Sequence, residues 1–304
     1  MSGSESISTE ITKRNAVTQW RDYLELCKPR VVVVMLLTAL VGMCLATPDI
    51  PATLPVVAGL LGIGLAAGSA AAINHVLDRR FDEKMMRTRN RPLPQGNLTA
   101  SQAVLFAAII GCGGIGLLAV AVNPLTAGLT LASLIGYAVV YTVWLKHATP
   151  QNIVIGGIAG AAPPLLGWTA VTGSLDADGL LLMLIIFAWT PPHFWALCIV
   201  RKEEYKKAGV PMLPVTHGER YTRLQILLYT LLLIATTALP FLSGMSGWVY
   251  LSGVVVLNLR FLQMSWQVFG GDDKNGSMQL FRYSITYIML LFVVLLVDHY
   301  LIIN

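Results

Sequence analysis

The sequence predicts an all-α, polytopic membrane protein, with nine transmembrane helices in a bundle. Three observations predict it. The 304 residues are 55% hydrophobic and only 12% charged, with a mean hydropathy of +0.67, outside the range of ordinary globular chains. Apolar windows long enough to cross a bilayer recur nine times, roughly at 31–46, 53–76, 101–122, 125–145, 153–172, 179–200, 223–242, 247–268 and 280–302. Basic residues collect in alternate loops and are missing from the others.

Each window reads as a helix, because a helix satisfies its own backbone hydrogen bonds in lipid. The segment before the first, 1–26, is polar and mixed in charge, so no cleavable signal peptide is expected. Within it, Thr9–Tyr23 fits a short interfacial helix touching lipid through Ile11, Trp20 and Tyr23. Lys13, Arg14, Arg21, Lys28 and Arg30 precede the first window, and Arg79 to Arg91 follow the second. Lys146 follows the fourth, Arg201 to Arg223 the sixth, and Lys274 and Arg282 the eighth. The loops near 47–52, 123–124, 173–178 and 243–246 hold no Lys or Arg. By the positive-inside rule the N-terminus is cytoplasmic and the C-terminus outside. This distribution accounts for the net charge of +5 without a nucleic-acid partner.

The fifth window contains Gly156-Gly157-Ile158-Ala159-Gly160-Ala161-Ala162, small residues that permit close helix packing. Pro163-Pro164 then kinks it, with Trp168 one turn beyond. The sixth carries Pro191-Pro192 before His193, so a broken or kinked helix with freed carbonyls is expected there. Cys27, Cys44, Cys112 and Cys198 fit no CxxC or zinc spacing and read as packing residues. With no Pro/Ser-rich linker, residues 1–304 form one domain. An internal echo runs through it. The second window ends in a polar cluster, a basic loop and Arg91-Pro92-Leu93-Pro94, and the sixth in Arg201 to Lys207 and then Pro211-Met212-Leu213-Pro214. Loops 77–100 and 201–222 are therefore expected as cytoplasmic active-site loops between two four-helix halves plus a ninth helix.

The chemistry concentrates at residues 74–91. Asn74, Asp78 and Asp82 are spaced i, i+4, i+8 and stack on one helical face. Hard oxygen donors at the lip of a bilayer suit Mg²⁺, which takes one or two carboxylates and fills its other positions with substrate phosphate oxygens. The plainer reading is a solvated helix end paired to Arg79 or Lys84. Such surface pairs contribute little, and so acid-poor a chain hardly needs Asp78, Asp82 and Glu83 within six residues. Ionisable groups at a membrane boundary are functional candidates by default. Arg87 and Arg91, i and i+4, can reach one anion together or act as anchors. The fourth window delivers Tyr141, Trp144 and Lys146 to the same side, with Asn152 just beyond.

Elsewhere the readings divide. Glu203 and Glu204 sit among Arg201, Lys202, Lys206 and Lys207, where an ion-pair network competes with metal binding. Asp272 and Asp273, flanked by glycine, read as turn residues. His193 either touches a cofactor or metal or hydrogen-bonds a carbonyl freed by the prolines. Tyr137, Tyr141, Trp144, Trp168, Phe187, Trp189, Phe194 and Trp195 are either interfacial belt and packing, or the lining of a central tunnel whose π-faces stabilise a carbocation.

At these residues the chain resembles the intramembrane aromatic prenyltransferase superfamily. Asn74-x3-Asp78-Arg79-x2-Asp82-x4-Arg87-Thr88-x2-Arg91-Pro92-Leu93-Pro94 is similar to its first aspartate motif. Cys27-Lys28-Pro29-Arg30, Lys146-x2-Thr149-x2-Asn152, Pro191-Pro192-His193-Phe194-Trp195-Ala196 and Tyr205-x2-Ala208-Gly209-x-Pro211-Met212-Leu213-Pro214 look like the branch that prenylates haem. The resemblance implies nine helices and transfer of farnesyl from farnesyl diphosphate to the vinyl group of haem b, with water addition. It implies Mg²⁺ as cofactor, haem b as substrate and a bacterial inner membrane location, with haem A synthase or the terminal-oxidase assembly as neighbours. The implied catalytic set is Asn74, Asp78, Asp82, Tyr141 and Lys146. The diphosphate would lie against Arg87, Arg91, Lys146 and Arg201. Asn74, Asp78 and Asp82 would hold the metal, with Glu204 a further candidate, and His193, Trp195 and Tyr205 would lie near the haem. Arg201-x2-Glu204-Tyr205 stands where other members carry a second aspartate motif. The enzymic alternative, prenylation of a quinone precursor or chlorophyllide, would keep that second motif and lack the His193 motif. A cation-coupled transporter predicts inverted repeats and midplane acids, whereas this echo runs in one direction with its acids at one face.

Overall fold

A computed structural model describes residues 20–302 apart from 84, 87, 272 and 273. Its described elements are all helical. A short α1 (Trp20–Leu26) meets α2 (Pro29–Leu45) at a 53° bend. Then come α3 (Thr53–Asp82), α4 (Ala100–Ala121) and α5 (Pro124–Ile135), which runs on as a π-helical stretch, π1 (Gly136–Leu145), and a final turn α6 (Lys146–Ala148). A break at Ala162 separates α7 (Asn152–Ala161) from α8 (Pro163–Thr172), and α9 (Ala177–Val200) follows. Two short helices, α10 (Lys202–Ala208) and α11 (Leu213–Thr216), lead into α12 (Gly218–Leu242), α13 (Trp248–Gly270) and α14 (Lys274–Ile302).

Local chemistry sets several starts. Thr99 caps α4 through a reciprocal box, its Oγ1 accepting from Gln102 N at 3.2 Å while Gln102 Oε1 accepts from Thr99 N at 2.9 Å. Asn123 caps α5 ahead of Pro124. Asp298, fully buried on α14, accepts from Gly247 N and Tyr250 N and so caps α13 from a neighbouring helix.

Among the described residues, seven helical spans are long and apolar enough to cross a membrane, or eight with the bent α1–α2 pair taken as one span. The nine windows all lie on helices. The counts differ because α2 has 17 residues and α13 is interrupted by Asn258, Arg260 and Gln263. Large apolar side chains such as Leu54, Leu105, Val120, Val256 and Leu259 stay exposed around the bundle, as a lipid-facing surface requires. Inside, hydroxyl and amide pairs join helices: Thr126 to Thr169 at 2.9 Å, Thr230 to Ser265 at 2.9 Å, and Tyr287 to Asn258 at 2.7 Å.

Helix α8 packs against α2, α3, α5 and α9, and α14 closes back onto α2. The α2–α8 contact is backbone on backbone. A Cβ at Gly167 would overlap the Ala39 carbonyl, and one at Gly42 the Pro164 carbonyl.

The structure sharpens the sequence expectation at two places, excluding the break of the sixth window and giving the fourth a π-helical stretch. The prolines at 191 and 192 do not end α9, which continues to Val200, because its flanks are packed by α12, α14 and α7. The fourth window is not a plain α-helix but widens into π1, where Thr142 Oγ1 donates to the Tyr137 carbonyl at 2.8 Å. Most of the expected Thr9–Tyr23 helix, and the Asp272–Asp273 turn, lie outside the described residues.

Candidate active site at the end of α3

Helix α3 outruns its apolar window and carries Asn74, Asp78 and Asp82 into the protein, each no more than 5% exposed. One helical face aims all three inward, as the i, i+4, i+8 spacing predicts. Each meets a cation from elsewhere in the chain. Lys28 Nζ donates to Asn74 Oδ1 at 2.6 Å, Lys146 Nζ to Asp78 Oδ2 at 2.6 Å, and Arg91 to Asp82 Oδ2 at 2.7 Å. Asn74 Nδ2 donates to Asp78 Oδ2 at 2.8 Å and to Thr142 Oγ1 at 3.3 Å. Asp78 Oδ1 is buried with no hydrogen-bond partner among the described residues.

Two local devices bring the cations in. The π-helical stretch places Thr142 and Lys146, four residues apart, on the face toward α3, and Asn152 Nδ2 holds the Lys146 carbonyl at 3.2 Å. Lys28 sits at the α1–α2 bend in a left-handed conformation, φ 50°, and no other non-glycine among the described residues has positive φ. Such a backbone costs about 1 kcal/mol or more and gathers where function demands it. Lys28 and Thr142 were not singled out from the sequence as site residues. The Cys27-Lys28-Pro29-Arg30 motif carried the signal for the first, and nothing local did for the second.

The remaining candidates are placed as follows. Arg87 lies outside the described residues. Tyr141 stacks on Tyr137, ring centroids 5.5 Å apart, and lies directly on the glycine backbone of α7 at Gly156. Arg201 pairs with Glu204 at 3.2 Å within α10 and its flank, while Lys202 and Arg223 both reach Glu219, so an ion-pair network does run here. The buried Arg201 Nε has no hydrogen-bond partner among the described residues. Tyr205 is buried at 7% exposure. His193 is sandwiched between Trp189 and Phe281, centroids 4.3 and 4.6 Å away, and its Nδ1 meets the Ser284 hydroxyl at 2.6 Å. Its partner is therefore a hydroxyl of α14, not a carbonyl freed by the prolines. Trp195, two residues on, points elsewhere and meets Tyr229 of α12 edge-on at 5.2 Å. Two residues along a helix turn about 200°, so these two side chains leave α9 on opposite sides.

Residues 35–296 match the UbiA prenyltransferase family. The chain belongs to that family. Among curated UbiA relatives, the protoheme IX farnesyltransferase of Hahella chejuensis is 60% identical over 286 residues, 94% of this chain and 96% of the relative. That of Marinobacter nauticus is 61% identical over 281 residues, 92% and 93%. Protoheme IX farnesyltransferase 1 of Pseudomonas aeruginosa is 58% identical over 295 residues, 96% and 97%. Among solved UbiA-like folds, digeranylgeranylglyceryl phosphate synthase superposes with a TM-score of 0.80 at 18% identity, covering 93% of this chain and 99% of its own. A UbiA homolog from Archaeoglobus fulgidus bound to DMAPP and Mg²⁺ gives 0.68 at 19% identity, covering 90% and 99%. At these identities the likeness shows the fold alone.

Proposed function

We infer that this protein transfers the farnesyl group of farnesyl diphosphate to the vinyl group of haem b, with water addition, giving haem O and diphosphate. The observation that carries this reading is the buried oxygen cluster at the end of α3, ringed by Lys28, Arg91 and Lys146. It occurs in a chain 60% identical to a protein named protoheme IX farnesyltransferase.

The donor set fits a divalent cation. Two carboxylates and an amide oxygen are hard ligands of the type Mg²⁺ takes, and Asp78 Oδ1 is buried with no partner to lose. Asn74, Asp78 and Asp82 would hold the ion, with Glu204 a candidate for a second one. A UbiA homolog from Archaeoglobus fulgidus bound to DMAPP and Mg²⁺ supports divalent-metal use, not the choice of ligands. When bound, the ion offsets charge gathering on the leaving diphosphate.

The chain's own groups do the rest. Lys146 and Arg91 are held in place by carboxylates before substrate arrives, so their donors need little reorganisation to stabilise phosphate oxygens. Arg201, and Arg87 by its place in the sequence motif, are assigned to the diphosphate with them. Breaking the allylic C–O bond leaves the farnesyl carbon electron-poor. The vinyl electron pair forms the new C–C bond, and water oxygen ends on the ring-side vinyl carbon with release of a proton. The stacked Tyr137–Tyr141 pair offers π-faces to the cationic carbon, and the surrounding bundle, read as a central tunnel, keeps bulk water from quenching it. His193, Trp195 and Tyr205 are assigned near the haem, with Trp195 acting from the opposite side of α9.

The same reading places nine spans across a bacterial inner membrane, counting α2 and α13, with residues 1–304 as one domain. Residues 1–26 and loops 77–100 and 201–222 then lie in the cytoplasm and the C-terminus outside. Haem A synthase or the terminal-oxidase assembly would take the product. The test is to incubate the purified protein with haem b, farnesyl diphosphate and Mg²⁺ and weigh the porphyrin. A farnesylated, hydrated haem that disappears when the metal is chelated is expected. An unchanged porphyrin mass with metal present refutes the reading.

A further inference from the structure

Beside the α3 cluster, at the α1–α2 bend, lies an open cavity of about 460 Å³. Its size falls in the range of small-molecule sites. Arg21, Lys28, Arg30 and Arg91 line it, and Glu25 is its one acidic side chain. His75 also lines it. His75 is only 2% exposed, yet neither ring nitrogen has a hydrogen-bond partner among the described residues. A buried imidazole with both nitrogens unmet is costly unless a ligand satisfies it.

The sequence explains why this cavity is distinct from the metal-facing cluster. His75 follows Asn74 on α3, and one residue turns a helix by about 100°. Asn74 and Asp78 therefore reach Thr142 and Lys146 of the fourth window, while His75 lines the cavity with residues of α1 and α2. Lys28 and Arg91 form the partition, since each lines the cavity and also bonds the cluster, to Asn74 and Asp82 respectively. With those two engaged, Arg21 and Arg30 remain as the other cations lining the cavity, which apolar Leu24 and Val31 line as well. Such a site suits an anion carried by an apolar body.

Resting on the function inferred above, we propose that this cavity is the seat of the haem's two propionate carboxylates. Arg21 and Arg30 bind them by charge-assisted hydrogen bonds, and His75 donates from its protonated ring nitrogen. A porphyrin of this kind carries its carboxylates and its vinyl groups on different edges. Anchoring the carboxylates outside the partition therefore leaves the vinyl edge free to reach toward the α3 cluster. The site also separates the two anionic substrates: carboxylates on one side of Lys28 and Arg91, diphosphate on the other.

The test compares haem b with its dimethyl ester, in which both carboxylates are masked. The comparison is made in the wild type and in Arg21→Gln, Arg30→Gln and His75→Ala. Binding is read by titrating the haem absorption band, and turnover by KM for porphyrin and for farnesyl diphosphate. In the wild type the ester is expected to bind about tenfold more weakly than haem b. Each variant is expected to weaken haem b several-fold, leave the ester unchanged and leave the KM for farnesyl diphosphate unchanged. Equal binding of haem b and ester by the wild type overturns the proposal, as do variants that weaken both porphyrins alike. A rise in the KM for farnesyl diphosphate instead would assign the cavity to the diphosphate and overturn it too. Those outcomes leave haem farnesylation standing, whereas a wild type that never alters the porphyrin mass refutes the function itself.

Discussion

Replacing Asp78 by Asn isolates the central electrostatic claim. The Asp78 side chain is 7% exposed and its Oδ2 accepts from Lys146 at 2.6 Å and Asn74 at 2.8 Å. The amide keeps the shape and removes the charge. Lys146, itself only 16% exposed, then loses its counter-charge. Breaking a buried pair on one side costs about 3–5 kcal/mol. The residual exposure of Lys146 moves the expectation to the lower end, about 3 kcal/mol of stability. On the reaction, losing one preorganised group at the charge-developing centre lowers turnover by about 10²–10³. The assay is product mass per unit time at saturating haem b, farnesyl diphosphate and Mg²⁺, with thermal melting in detergent run in parallel. Glu83→Gln is the control. Its pair with Arg79 spans 3.6 Å with both side chains about half exposed, so it is worth under about 1 kcal/mol. Turnover of Asp78→Asn within tenfold of the wild type, or an equal loss in Glu83→Gln, would refute the reasoning.

Gly167→Val should drive α8 away from α2, because its side chain must enter the space of the Ala39 carbonyl. A fall of several degrees in Tm is expected, and an unchanged Tm would show that the helices do not meet there. His193→Ala should weaken haem binding more than diphosphate binding. Equal losses in the two titrations would mean that His193 serves only to pack α9 on α14 through Phe281 and Ser284. Reporter fusions in the 173–178 loop should give an extracytoplasmic signal, and a cytoplasmic signal there would overturn the orientation.

Much of the molecule is legible in local pattern. All nine apolar windows lie on helices, and the Asn74, Asp78, Asp82 register alone is enough to put three oxygen-bearing side chains on one buried helix face. What local pattern could not supply was the identity of the partners. Lys28 meets Asn74 across 46 residues and Lys146 meets Asp78 across 68. His193 finds Ser284 across 91. No periodicity within a helix encodes such pairs. The pattern also left α9 either broken or kinked at its prolines, and read 125–145 simply as a helix. Packing from neighbouring helices carried α9 through, and a π-helical widening set the approach of Lys146.

The chain by itself determined that this is a helical membrane bundle and that its acids gather at the end of the second apolar window, because both follow from hydropathy and helical spacing among near neighbours. Only the tertiary structure decided which cation faces which oxygen, that His193 and Trp195 look away from each other, and that His75 lines a basic cavity with its nitrogens unmet. Those outcomes depend on how separate helices rotate against one another, and that rotation is set by contacts between residues far apart in sequence, such as the glycine approach of α2 to α8.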